Sequence, residues 1–192
     1  DQTIYNFSQM TRNIGTFTAA GIDLDKSVSS IKGISNIAAI SGSSAEQASN
    51  AMYQLSQALA AGKVSLMDWN SVVNAGMGGE VFQKALFDIG KVEGKIKGAG
   101  ISTEFEEWKK AGNSFRLSLE QGWLTSEVLT KTLTGFTGDF TEAQLLSMGY
   151  TQAQAKEFAE LGAMGLEAAT KVKTFTQLLG TIKESVGSGW AK

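Results

Sequence analysis

Three residue types are missing from this 192-residue chain: it has no proline, no cysteine and no histidine. Ordinary usage of about 5% proline would give roughly ten. Their absence suits a backbone that is helical nearly throughout, because proline removes a helix hydrogen bond and clashes with the preceding turn. Zero cysteine excludes disulfides and thiolate chemistry, and zero histidine removes the commonest acid/base group and transition-metal ligand. Neither sign of charge is in marked excess. The 17 basic residues face 19 acidic ones, and division after Ile96 leaves 7 against 8 and then 10 against 11. Neither a basic nucleic-acid patch nor an acidic tail is expected. No extended apolar stretch occurs either. The most apolar stretch, Ile34 to Ile40, is interrupted by Ser35 and Asn36 and falls well short of the roughly 20 residues of a membrane span. The chain opens on Asp1-Gln-Thr-Ile without an initiator Met or a signal-peptide pattern, and closes on Gly189-Trp-Ala-Lys192 without a tail. These ends are those expected of a piece of a longer protein.

What is present is 42% apolar, 19% charged and rich in glycine. Such a composition supports a packed core, and the length holds one full core or two small ones. Apolar residues recur at helical spacing in almost every window. Leu24, Val28, Ile31, Ile34 and Ala38 form one stripe, and Ala48, Met52, Leu55 and Leu59 another. A 3-4-3-4 rhythm runs through Phe82, Ala85, Ile89, Val92 and Ile96. It recurs in Phe105, Trp108, Gly112, Phe115 and Leu119, and again in Val172, Phe175, Leu179, Ile182 and Val186. Each lasts about two heptads, too few for a free-standing coiled coil, so short helices packed on each other are expected. The fold class is all-α: a multi-helix bundle of short glycine-punctuated helices with no sheet.

Helix starts are marked by a hydroxyl residue followed three positions later by a polar one that can reach back. Ser44 with Gln47, Thr103 with Glu106, Thr141 with Gln144 and Thr151 with Gln154 all fit this capping box. Two junctions share a longer frame, Gly62-Lys-Val64-Ser65 and Gly122-Trp-Leu124-Thr125. Each has a helix-ending glycine, a spacer, an apolar N′ residue and a hydroxyl cap, with Trp69 or Leu129 placed four residues on as a hydrophobic staple. Gly149-Tyr150-Thr151 is a shorter version backed by Ala155. Shared junction physics accounts for the likeness, and a duplication is the alternative. Glycine totals 22, where about 7% usage predicts 13 or 14. Gly42, Gly62, Gly76, Gly100, Gly122 and Gly149 fall at expected helix stops. Gly98-Ala-Gly100 is the candidate hinge, but composition does not shift across it, so residues 1–192 are expected to form one helical domain.

A search for chemistry yields no catalytic, cofactor-binding or metal-binding residue. Most of the acids Glu104, Glu106, Glu107, Asp139 and Glu142 fall in expected first helical turns, where a carboxylate favours the helix dipole. Gly76-Met-Gly78-Gly79-Glu80-Val81 follows a helix instead of a strand and lacks a Lys-Ser/Thr ending, so a tight turn is expected there. The segment Ser65 to Ala75, where a DNA-reading helix would sit, contains no Lys or Arg. A hydroxyl nucleophile would need a Lys or carboxylate base, and no spacing singles one out. Trp69, Trp108, Trp123 and Trp190 are expected as core or interface anchors. Val172 to Val186, with Lys171, Lys173 and Lys183, is the best candidate for an amphipathic membrane contact, although most such stripes are core.

Two stretches carry a family resemblance. The first is Ala51-Met-Tyr-Gln-Leu-Ser-Gln-Ala-Leu-Ala-Ala-Gly-Lys-Val-Ser-Leu-Met-Asp-Trp-Asn-Ser-Val-Val-Asn-Ala-Gly-Met-Gly-Gly-Glu-Val-Phe-Gln-Lys-Ala-Leu86. The second is Ala169-Thr-Lys-Val-Lys-Thr-Phe-Thr-Gln-Leu-Leu-Gly-Thr-Ile-Lys-Glu-Ser-Val-Gly-Ser-Gly-Trp-Ala191, with Gly122 to Thr130 and Met148 to Thr151 between them. In this order they resemble the N-terminal domain of phage tail tape measure proteins. The Trp69-Asn70, Gly76 to Gly79 and Gly187 to Trp190 blocks are non-repetitive and make the match specific.

The resemblance implies a structural virion protein of a phage or prophage. It would lie inside the tail, be made in the host cytoplasm, set tail length and recruit tail-tube subunits with the help of tail assembly chaperones. Expected partners are tail tube and tail-tip proteins, those chaperones and possible further copies of the chain, with no direct nucleic-acid binding. No catalytic residues belong to this part of the family. A cell-wall hydrolase or a membrane-interacting module used in DNA delivery is the alternative. A length gauge extends at about 1.5 Å per residue as one continuous helix, whereas glycine-punctuated helices predict a compact bundle. This portion is therefore expected to be an assembly module and not the ruler.

Overall fold

Most helices in this protein begin where a side chain can satisfy their first amide groups, with α5 and α6 as exceptions. The computed structural model describes residues 7–170 together with Glu184. Helix α1 (Phe7–Ala19) leads to α2 (Leu24–Ser41), capped by the Asp23 carboxylate, which accepts from the Lys26 amide at 2.9 Å. Helix α3 (Ala45–Ala61) starts in the expected Ser44/Gln47 box, and α4 (Leu66–Asn74) in a Ser65/Asp68 box. Then follow α5 (Glu80–Val92), α6 (Phe105–Lys110) and α7 (Phe115–Ser118), the last running into a 3-10 turn at Leu119–Gln121. Helix α8 (Ser126–Gly135) is capped by Thr125, α9 (Glu142–Ser147) by the Thr141/Gln144 box, and α10 (Gln152–Thr170) by reciprocal Thr151/Gln154 bonds of 3.0 and 3.2 Å. Among the described residues there is no strand, in keeping with the all-α bundle expected from the sequence.

Four expectations of local structure are corrected. Thr103 and Glu106 form no capping box. The Thr103 hydroxyl turns back to accept from the Gly100 amide at 2.9 Å, and α6 begins with Glu104 at its cap. The stripe from Phe105 to Leu119 is not one helix, because Gly112 adopts a left-handed φ of 96° between α6 and α7, yet Phe105, Trp108, Phe115 and Leu119 are all buried. Likewise α5 stops at Val92, and Ile96 reaches the core from beyond the following turn. Of the six expected glycine stops, Gly100 alone lacks a left-handed φ; Gly98, two residues earlier, has one.

The two look-alike junctions meet in space. Gly62 and Gly122, with φ of 89° and 73°, each turn the chain out of a helix, so that Lys63 and Thr125 face each other as an isolated antiparallel bridge. The Val64 amide donates to the Leu124 carbonyl at 2.8 Å, and the Ser126 amide to the Gly62 carbonyl at 2.9 Å. Val64, Leu124, Trp69 and Leu129 are all buried beside it, where the staple frame places them.

Helix α2 is the axis of the bundle and packs against α1, α3, α8 and α10. Its contacts with α8 and α10 run through glycine. A Cβ at Gly33 would lie 2.9 Å from the carbonyl carbon of Leu133 in α8, and one at Gly165 would lie 2.7 Å from Asn36 Cβ. Gly135 and Gly162 meet Phe158 and Gly138 just as closely. Such approach lets helices cross with backbone nearly touching backbone. A second organiser is a chain of rings. Tyr150, Phe158, Phe136, Phe82, Trp69, Phe115 and Trp123 contact one another in that order at centroid separations of 4.8 to 6.2 Å. Phe105, Phe87 and Trp108 branch from Phe115. These rings and the buried aliphatic residues form one cluster with members on both sides of Gly98 to Gly100.

Candidate functional site

The segments that most invited a chemical reading are structural here. Gly76 to Gly79 is the tight turn between α4 and α5: Met77 is fully buried, a Cβ at Gly78 would lie 2.6 Å from Val73, and the Gly78 carbonyl accepts from Gln83 at 2.7 Å. Trp69, Trp108 and Trp123 belong to the core, and the Trp123 indole N–H donates to Ser118 at 2.9 Å. Trp190 and the Val172 to Val186 stripe lie outside the described residues. On α4 the outward side chains are Met67, Asn70, Val73 and Asn74, and Arg116 of α7 donates to Asn70 at 3.2 Å.

Charged side chains join helices to one another. Asp88 on α5, nearly buried, receives Lys84 at 2.7 Å and Lys91 at 3.5 Å, while Lys84 also reaches Glu157 of α10 at 3.1 Å. Burial pulls the Lys84 ammonium down, but hydrogen bonds and charge from Asp88 and then Glu157 outweigh it and hold its pKa above the usual lysine value. Gln154 donates to the Asp88 carbonyl at 2.9 Å, and Lys91 to the Thr103 carbonyl at 2.8 Å. Lys32 on α2 pairs with Asp139, and Lys109 with Glu80 and Glu106 at 2.5 and 2.8 Å. A glycosidase needs two carboxylates facing across a cleft; Asp88 and Glu157 instead share one lysine and close the gap between α5 and α10. Among the described residues, no group of three acids could hold a metal ion.

The surface offers two kinds of feature. Large apolar side chains stand in solvent at Met67, Ile101, Leu117 and Met164, with Met67 77% exposed. Grooves run along α3: one of about 300 Å³ against α4, and one of about 490 Å³ against α1, both bordered by Tyr53. The sequence singled out none of these residues, because amide and alanine positions on an outward helix face have no distinctive spacing.

Helices tied by ion pairs and glycine crossings, with apolar side chains left on the outside, define a helical packing module. The chain belongs to the tape measure protein family, whose model matches residues 1–189. Neither a curated protein nor a solved structure matches it. Membership gives the chain a structural role in the phage tail, alongside other tail proteins. No helix among the described residues is long and apolar enough to cross a membrane.

Proposed function

We propose that residues 1–192 act as one non-enzymatic assembly module of a tail tape measure protein. The module contributes to tail assembly and length determination through helix–helix contacts. The family match along almost the whole chain carries this reading. Its partners are tail tube and tail-tip proteins, tail assembly chaperones and further copies of the chain, met in the host cytoplasm during assembly and retained in the tail. The bundle is not itself the gauge: α10, the longest described helix at 19 residues, spans only roughly 28 Å. Exposed Met67 and Leu117, on the adjoining helices α4 and α7, supply partner contact without disturbing the core.

Two measurements test the proposal. Small-angle scattering of the isolated chain is expected to give a radius of gyration of about 16 Å for a compact monomer; a rod-like profile overturns the compact-module reading. In a phage carrying Met67→Asp with Leu117→Asp, tail yield counted by electron microscopy is expected to fall several-fold. Unchanged yield removes this surface from assembly. Release of soluble fragments from purified peptidoglycan, abolished by a single Glu→Gln change, would replace the non-enzymatic reading with a hydrolase.

A further inference from the structure

The groove between α3 and α4 is lined almost wholly by neutral polar side chains. Gln47, Asn50, Tyr53 and Gln54 line one wall and Ser71 and Asn74 the other. None of them ionises at neutral pH, in a chain where 19% of residues are charged. One end is held rigid. The Gln47 carbonyl oxygen accepts from the Ser44 amide at 2.9 Å while its NH₂ points at the Asn74 carbonyl at 3.5 Å, and the Ala75 carbonyl beneath is fixed by Ser43 at 2.6 Å. The other amides are uncommitted: among the described residues Asn50, Gln54 and Asn74 side chains and the Tyr53 hydroxyl have no hydrogen-bond partner. Tyr53 is 52% exposed and also borders the separate α1–α3 groove.

This lining fits few ligands. Nucleic acid needs cations along its phosphates, and the α3–α4 groove has none. The recurring peptide modes need an unpaired sheet edge, a hydrophobic groove, a row of aromatics for a proline helix, or an arginine cluster, and the groove provides none of these. Free amides each offer donors and an acceptor side by side, which matches sugar hydroxyl and acetamido groups that also donate and accept. A half-exposed aromatic ring presents an apolar face with a polar rim, the surface on which the C–H face of a pyranose packs. A groove lined along two helices, with Asn50, Gln54 and Asn74 spread along it, suits a chain of sugars better than a single ring.

We propose that the α3–α4 groove binds a linear, uncharged oligosaccharide, with a sugar ring packed on Tyr53 and its polar groups exchanging hydrogen bonds with Asn50, Gln54 and Asn74. This site is independent of the assembly role, since it uses neither Met67 nor Leu117. The test is NMR titration of the 15N-labelled protein with chitohexaose and, separately, cellohexaose, the two distinguishing acetamido from plain hydroxyl recognition. Saturating shifts are expected at the side-chain NH₂ signals of Asn50, Gln54 and Asn74 with at least one of the two. Binding is expected to weaken tenfold or more in Tyr53→Ala, whose helix content by circular dichroism should match the parent. No shift with either sugar at several millimolar overturns the proposal, as does equal binding by Tyr53→Ala or shifts confined elsewhere. Saturating shifts of the same signals with an uncharged Gly/Ser/Asn peptide but with neither sugar would assign the groove to polypeptide and overturn it too.

Discussion

Replacing Gly33 by alanine separates close helix packing from helix propensity, because the two act in opposite directions. In a helix interior alanine is favoured over glycine by about 0.5–1 kcal/mol. At position 33 the added Cβ would meet the backbone of Leu133, 2.9 Å from its carbonyl carbon, 3.1 Å from its Cα and closer still to its oxygen. Backbone cannot rotate away as a side chain can, so α8 must move off α2. Overpacking of this kind costs about 1–3 kcal/mol. The same displacement stretches the Asn36 bonds to the Phe136 and Thr137 carbonyls, 2.8 and 3.1 Å, each contributing about 1 kcal/mol. The net expectation is a loss of about 2 kcal/mol, which for a domain of this size lowers Tm by roughly 4–8 °C. Gly15, inside α1 with nothing within 4 Å of a Cβ, is the control. There propensity acts alone, and Gly15→Ala should raise Tm by roughly 1–4 °C. Thermal unfolding followed by circular dichroism measures both. A Gly33→Ala Tm at or above the parent, or the same sign for both variants, refutes the close-packing argument.

Asp88→Ala leaves Lys91 nearly buried with no carboxylate, only the Thr103 carbonyl and the Phe87 ring beside it, and urea unfolding should show a loss of about 3 kcal/mol; a loss below about 1 kcal/mol would mean the ion pairs hold nothing. Stability should fall as pH rises past about 10, for two reasons with the same sign. Burial raises the Tyr150 pKa, so the unfolded phenol ionises first. Lys84, raised by Asp88 and Glu157, gives a contribution that is complete below the unfolded lysine value of 10.5 and lost as pH climbs through the folded one. Tyr150→Phe loses the hydroxyl bond to the Lys131 carbonyl, about 1 kcal/mol at pH 7, but should unfold less steeply in alkali; an unchanged slope would remove Tyr150 from the account. Ser44→Ala should cost about 1 kcal/mol in chemical unfolding, and Thr103→Ala clearly less, since Thr103 caps no helix; equal losses would contradict the cap assignments.

Capping boxes were legible at Ser44, Thr141 and Thr151 because both partners lie within one turn and the bond needs nothing distant. The same pattern misled at Thr103, where the hydroxyl found the Gly100 amide instead. Periodicity identified the buried face from Phe105 to Leu119 but not its break at Gly112, because two short helices facing the same core keep the rhythm of one. Glycine was read as punctuation, correctly at Gly62 and Gly122. Gly33, Gly135, Gly162 and Gly165 act through neighbours 30 or more residues away or on another element, and nothing adjacent in sequence marks them. The pairing of the Gly62 and Gly122 junctions was foreshadowed by their shared frame, although that frame could not say that the two touch. The Asn50, Gln54 and Asn74 groove was invisible for another reason: exposed amides on a helix are ordinary, and only the shape between α3 and α4 brings them together.

The seat of α2 between α8 and α10 also sets an order of events during synthesis. Its buried face, with Ile31, Ile34 and Ala38, is complete once residue 41 has been made, but α10 begins only at Gln152. Helices α1 and α3 are made early enough to cover part of that face, but at a translation rate of about 5–20 residues per second the part that seats α10 waits on the order of ten seconds for its partner. Throughout that interval the α10 seat of α2 stands open beside a growing polypeptide, so it is where slowed translation would promote aggregation.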